Sequence, residues 1–141
     1  DAMIAELTNE LRKEPIDVAL IGIGENAHIA FNDPPADFNT DAAYIVVNLD
    51  TKCKQQQMNE GWFSTIDDVP KQAVSMTVKE IMKSKKIITI VPNKRKSWAI
   101  KNALCAKEVT NMIPATVLKN HPDWSLFIDG DSAADIIPSI D

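Results

Sequence analysis

The residues with the clearest capacity for chemistry follow a short apolar run. Residues 18–21 are all apolar, and the chain then becomes polar with Glu25, Asn26, His28 and Asp33. Histidine exchanges protons near neutral pH, and a neighbouring carboxylate or amide can fix the orientation of its ring. The pattern therefore indicates acid–base chemistry at His28. The alternative interpretation is a polar turn that only caps a strand.

The apolar run predicts the element that positions these side chains. Four consecutive apolar residues are typical of a buried strand in a parallel sheet. Gly22 and Gly24 would end that strand, because the backbone can turn there where a Cβ would not fit. Ligands of open α/β sheets bind beyond the carboxyl ends of the strands. The polar cluster is therefore predicted to lie where a ligand would bind.

The rest of the chain alternates between helical and extended patterns. The predicted helices are 1–13, 78–82 and 94–106, and the predicted strands are 16–22, 44–49, 73–78, 86–92 and 125–128. This alternation favours a single α/β domain over 1–141, with a parallel sheet and helices on both faces. The irregular segment 32–41 is expected to fold over the site as a loop. Trp62, Trp98 and Trp124 are too scattered for a stacking platform and are expected in the core.

Composition excludes several classes of protein. The chain has 141 residues, 45% hydrophobic residues, 25% charged residues and a net charge of −5, which does not suggest a nucleic-acid partner. No apolar run reaches the length of about 18 residues needed to cross a membrane, and no signal peptide is expected. Cys53 and Cys105 are expected to be reduced thiols of a cytoplasmic protein. Neither a metal-ligand spacing nor a dinucleotide-binding pattern is present, so no metal and no cofactor are predicted.

Residues 22–34 carry a more specific signal. Their sequence, Gly-Ile-Gly-Glu-Asn-Ala-His-Ile-Ala-Phe-Asn-Asp-Pro, resembles the signature of the glucosamine-6-phosphate deaminases (isomerases), a family that shares its fold with the 6-phosphogluconolactonases. Further blocks that resemble this family are 49–57, 60–63, 68–70, 87–92 and 114–118. The resemblance covers nearly the whole chain in order. It implies a three-layer, Rossmann-like α/β fold and conversion of glucosamine 6-phosphate to fructose 6-phosphate and ammonia.

The resemblance also implies roles for the polar cluster. His28 occupies the family's ring-opening position, and Asp33 stands where the hexameric enzymes carry glutamate. Asn26 replaces an aspartate of their proton relay, and an amide can orient an imidazole but cannot take its proton. Glu25 is either a substitute for that aspartate or a solvated loop acid. Asp33 is one methylene shorter than glutamate, so its contact with His28 is expected to be direct or through water.

Substrate-binding residues follow from the same comparison. Gly24 and Ala27 belong to the signature turn, and Ala27 replaces a glycine, which would cost about 1 kcal/mol if its φ is positive. Lys96 aligns with the family's phosphate-binding lysine, after a strand and at the start of a helix, where an anion is favoured. Lys54 and Gln57 are further phosphate-binding candidates, and each is equally well explained as helix surface.

The resemblance places this chain in the carboxyl-terminal part of a longer enzyme. The family's amino-terminal strands, phosphate-binding loop and acidic motif, which holds the enolising base, have no counterpart in these residues. The fold is therefore expected to be incomplete at its amino-terminal side, and the chain alone is expected to have little or no activity. An uncovered sheet would then favour self-association into a homo-oligomer.

Two other functions remain open from the sequence. The first is hydrolysis of a sugar-phosphate lactone, in which a histidine activates water and no enolising base is required. The second is a non-catalytic sensor of a sugar phosphate, which the changes at Asn26 and Ala27 would suit. The segment 31–34 favours the deaminase over the lactonase.

Overall fold

The computed structural model describes residues 2–137. The helices are α1 (Ala2–Leu11), α2 (Thr51–Asn59), α3 (Val78–Ile81) and α4 (Ser97–Cys105), and the strands are β1 (Val18–Ile21), β2 (Tyr44–Asn48), β3 (Gln72–Met76), β4 (Lys86–Val91) and β5 (Trp124–Ile128). Short 3-10 helices cover Ile66–Asp68, Lys94–Lys96 and Pro114–Asn120. None of the helices within 2–137 has the length and apolar character to cross a membrane.

The central sheet is parallel, as the alternation of elements predicts. Its strand order is β1-β4-β5, with Ala19 opposite Ile87 and Ile87 opposite Trp124. Because β1 and β4 are neighbours, the loops that follow them emerge side by side at the carboxyl edge of the sheet. This edge therefore brings together segments that are far apart in the chain, including those that carry His28 and Lys96.

One face of this sheet packs against the hydrophobic core. The largest fully buried aliphatic side chains come from five different parts of the chain: Ile29, Ile81, Ile87, Ile100 and Leu118. α4 and the 3-10 helix Pro114–Asn120 cover this face. Complete burial of one such side chain contributes about 1.5–3 kcal/mol to folding. Since Ile29 belongs to this core, the residue next to His28 is firmly anchored.

The opposite face of the parallel sheet presents apolar side chains to solvent. Leu20, Ile90 and Phe127 are 74%, 63% and 59% exposed. Ile90 and Phe127 are direct partners across β4 and β5. Because large exposed apolar patches usually mark a contact surface, this face is suited to packing against another element.

β2 and β3 form a second, separate sheet. They pair antiparallel with each other, with Val46 opposite Val74. Both strands were recognisable as extended segments, but alternation along one strand does not determine its partner. The segment 32–41 differs in part from expectation. Asp33 lies at the site, in contact with His28, whereas Ala36 N donates to Asn111 O at 3.0 Å and residues 36–39 line a different cavity with 109–111.

Two of the tryptophans are not core residues. Trp62 is 72% exposed and Trp98 is 51% exposed, so the expectation of burial was wrong for both. Trp124 is partly buried, and its Nε1 donates to Thr89 Oγ1 at 2.9 Å. The tryptophan content alone could not distinguish these environments.

Candidate functional site

His28 projects from a tight turn at the end of β1. Gly24 N donates to His28 O at 2.9 Å, and Ala27 N donates to Gly24 O at 3.0 Å. The residues on either side of this turn, Ile23 and Ile29, form a β-bridge and are both buried. The turn therefore begins and ends in the core, which limits the movement of His28.

Asp33 holds the imidazole directly. His28 Nδ1 lies 2.9 Å from Asp33 Oδ1, which settles the open question between direct and water-mediated contact. An ionised carboxylate only accepts hydrogen bonds, so Nδ1 carries a proton and Nε2 is left for a ligand. Burial opposes ionisation of Asp33, but hydrogen bonds from His28 and Asn26 outweigh it and lower the pKa of Asp33.

Asn26 acts on the ring through its neighbours. Its Nδ2 donates to Asp33 Oδ1 at 2.8 Å, and its Oδ1 accepts from the backbone N of His28 at 3.1 Å. The amide therefore orients the carboxylate and the turn. Glu25 is half-buried next to this group, and its backbone N donates to Gln56 Oε1 at 3.3 Å. The structure places its side chain at a neighbouring cavity with Asn26.

The ring of His28 rests on Gly24. A Cβ at Gly24 would lie 2.3 Å from both Cε1 and Nε2 of the imidazole, whereas a Cβ at Gly22 would meet no atom within 4 Å. The sequence-based argument about a missing Cβ thus holds for Gly24 and was wrong for Gly22. Ala27 has φ 67°, so the condition for strain at this position is met.

His28 and Lys96 face the same cavity. This cavity has a volume of about 320 Å³ and is lined by Gly22, Ile23, Gly24, His28, Ala30, Phe31, Gln56, Gln57, Glu60 and Lys96. Lys96 follows β4 in a turn where Asn93 has φ 90° and its side chain accepts from the backbone N of Arg95. Burial lowers the pKa of Lys96, while the nearby carboxylates of Glu60 and Glu25 act in the opposite direction.

The other two phosphate-binding candidates are separated by the fold. Gln57 lines the cavity with Lys96, whereas Lys54 lies on α2 outside the residues that line this cavity in the described part of the chain. Glu60 also lines the cavity, and the sequence reasoning missed it. The sequence feature that could have indicated Glu60 is its position four residues after Gln56, because residues with this spacing lie on the same side of a helix.

A second cavity of about 370 Å³ lies beside the first. Its walls include Glu25, Asn26, Cys53, Gln56 and Trp98. The aromatic ring of Trp98 and the polar side chains make this cavity suited to an organic ligand group.

Cys53 lies close to the histidine and its carboxylate. One potential ligand atom each from His28, Asp33 and Cys53 lie within 4.8 Å of one another, which is compatible with a metal ion. Spacing in the sequence did not reveal this group, because Cys53 comes from α2. Burial, together with the carboxylates of Asp33, Asp50 and Glu60, raises the pKa of the Cys53 thiol to about 12. A metal ion would therefore have to displace the thiol proton and the His28–Asp33 hydrogen bond.

Fold and site together define an α/β protein with a cavity at the carboxyl ends of its parallel strands, and this cavity is lined by a histidine held by a carboxylate and by a lysine. The chain belongs to the family of glucosamine-6-phosphate isomerases and 6-phosphogluconolactonases, whose family model matches residues 1–126.

Individual relatives agree with this assignment. The glucosamine-6-phosphate deaminase of Staphylococcus epidermidis strain ATCC 12228 is 42% identical over 135 residues, covering 94% of this chain and 54% of the relative. The Oenococcus oeni glucosamine-6-phosphate deaminase is 40% identical over 124 residues, covering 88% of this chain and 50% of the relative. The chain thus spans about half the length of the curated relatives it matches.

Solved structures confirm the Rossmann-like fold class. A monomeric glucosamine-6-phosphate deaminase matches with a TM-score of 0.87 and 30% identity, covering 95% of this chain and 54% of the other. The 6-phosphogluconolactonase of Trypanosoma brucei matches with a TM-score of 0.71 and 16% identity, covering 96% of this chain and 53% of the other. The second similarity supports the fold alone.

Gly24→Ala tests the seating of the imidazole. The added methyl group would overlap the ring, which cannot move without losing Asp33. We expect the free energy of unfolding to fall by about 1–3 kcal/mol, as measured by urea denaturation of the chain. Gly22→Ala is the matched control and should change stability by less than about 0.5 kcal/mol. Equal effects of the two substitutions would contradict the proposed packing.

Proposed function

We propose that the protein is a glucosamine-6-phosphate deaminase, in which this chain forms a single α/β domain that provides ring opening and phosphate binding. The observation that carries the proposal is the shared cavity of His28 and Lys96, with His28 held by Asp33. Family membership and the deaminases at 40–42% identity support the reaction class. The substrate is a phosphorylated amino sugar, and the reaction uses no cofactor.

His28 would open the sugar ring through Nε2. Nε2 takes the proton of the C1 hydroxyl and delivers a proton to the ring oxygen as the bond from C1 to that oxygen breaks. The transfer leaves the imidazole neutral at the end, and Asp33 stabilises the transient imidazolium. Asn26 keeps Asp33 in place, as its hydrogen bonds indicate.

Lys96 would bind the phosphate of the substrate. A partly buried ammonium attracts a phosphate strongly because little water screens the charges. Gln57 and the backbone at Gly24 also line the cavity and can contact the ligand. Lys54 would act only on the approaching anion, since it lies outside this lining. Ala27 would contribute through the shape of the turn.

Enolisation requires a carboxylate that moves a proton between C2 and C1. The family resemblance assigns this base to an acidic motif that residues 1–141 do not contain. We therefore expect the isolated 141-residue chain to bind a sugar phosphate weakly and not to release ammonia.

Turnover by the complete gene product tests the proposed reaction. Ammonia and fructose 6-phosphate should form from glucosamine 6-phosphate, and His28→Ala should lower kcat by about 100-fold or more. Glu108→Gln, an exposed change outside the cavity, should leave kcat unchanged. Hydrolysis of a sugar-phosphate lactone in place of ammonia release would favour the lactonase, and ligand binding without turnover would favour the sensor. Ammonia release that does not depend on His28 would contradict the mechanism.

We also propose that the 141-residue chain self-associates through the apolar face of its parallel sheet and that the protein is cytoplasmic. Leu20, Ile90 and Phe127 provide the contact surface. The free thiols Cys53 and Cys105 suit a reducing compartment.

Light scattering of the 141-residue chain tests the contact surface. A mass above that of a monomer is expected, and Leu20→Glu with Ile90→Glu should shift the chain to the monomer, because a charge on the face opposes its burial. Met3→Glu, at an exposed methionine of α1, is the control and should not dissociate the assembly. A monomer at all concentrations would refute self-association.

A further inference from the structure

The cavity that holds His28 contains charges of both signs. Glu60 and Lys96 both line it. The carboxylate of Glu60 opposes the lowering of the pKa of Lys96 by burial, as expected for opposite charges that line one cavity. The ion pairs of residues 2–137 do not join them, so both charges stay available to a ligand.

A buried glutamine fixes the carboxylate of Glu60. Gln56 is 8% exposed, and its Oε1 accepts from the backbone N of Glu25. Its Nε2 must then point the other way, and it donates to Glu60 Oε1 at 2.7 Å. Because this network permits only one orientation of the amide, one carboxylate oxygen is held and Oε2 remains for another partner.

Both charges oppose the stability of the helices that carry them. Glu60 is the C-cap of α2, where the helix dipole disfavours an anion, and Lys96 is the N-cap of α4, where it disfavours a cation. Neither placement contributes favourably to folding through the dipole. A ligand with a negative and a positive group would compensate both.

We propose that Glu60 binds the ammonium group of the substrate while Lys96 binds its phosphate, so that the cavity selects an amino-sugar phosphate over a neutral sugar phosphate or a lactone. This inference rests on the proposed function and deepens it. A ligand without the ammonium group would bring its phosphate to the same cavity as the carboxylate with no positive group to offset the repulsion. Glu60 is thereby a specificity-determining residue.

Binding of two ligands that differ only at C2 tests the assignment. Glucosamine 6-phosphate and glucose 6-phosphate are titrated calorimetrically into the complete gene product carrying His28→Ala, in which turnover is slowed by about 100-fold or more. Glu60→Gln, added to this background, should weaken glucosamine 6-phosphate by about 10- to 100-fold, the usual loss for a charged hydrogen bond. The affinity for glucose 6-phosphate should stay the same or increase, since the repelling carboxylate is gone.

The controls separate the possible outcomes. Glu108→Gln removes the same charge at an exposed site and should leave both affinities unchanged. Lys96→Ala should weaken both ligands alike. If Glu60→Gln weakens both ligands equally, or neither, then Glu60 does not bind the ammonium group and the inference is overturned. If the His28→Ala background binds neither sugar phosphate, the proposed function itself fails, and that result is distinct from a loss of discrimination.

Discussion

The hydrogen bond between His28 and Asp33 is the interaction on which the site depends. It determines which nitrogen of the imidazole carries a proton, and its distance of 2.9 Å leaves no room for water between the two groups. Gly24 supports the ring from below, and Asn26 supports the carboxylate from the side. A hydrogen bond and packing on Gly24 therefore hold the ring, and the core residues Ile23 and Ile29 hold the turn that carries it.

The charged groups of the site are placed where they do not favour folding, and this placement indicates a role in binding. Burial lowers the pKa of Lys96, so the folded protein stabilises its charge less well than water does. Glu60 and Lys96 stand at helix ends of the unfavourable sign. Such costs are common where residues are arranged for a ligand rather than for folding. A bound phosphate and ammonium would satisfy both groups.

Much of the site could be predicted because it follows a simple topological rule. The apolar runs of β1 and β4 predicted two strands of a parallel sheet. The structure makes them neighbours, so the residues beyond their carboxyl ends meet at one edge of the sheet. His28 and Lys96 are 68 residues apart in the sequence and were proposed separately, each from the family resemblance and its position after a strand, and the structure brings them to one cavity. The turn at Ala27 was also predictable, since alanine replaces a glycine of the signature.

The remaining features depend on tertiary contacts that local patterns do not encode. Cys53, Gln56 and Glu60 reach the site only because α2 packs against the signature loop. The pairing of β2 with β3 and the path of residues 34–41 are likewise set by partners distant in the chain. Aromatic residues were assigned to the core from their type, and Trp62 and Trp98 show that type does not determine exposure.

The tautomer of His28 tests most directly whether Asp33 holds the imidazole with its proton on Nδ1. Nitrogen-15 NMR of the labelled protein at neutral pH should show a proton on Nδ1 and a proton-free Nε2, and Asp33→Asn should remove this preference. His121, whose Nε2 lies 2.8 Å from the backbone oxygen of Ser84, provides an internal reference with the opposite tautomer. A proton on Nε2 of His28 in the unsubstituted protein, or a tautomer unaffected by Asp33→Asn, would contradict the account.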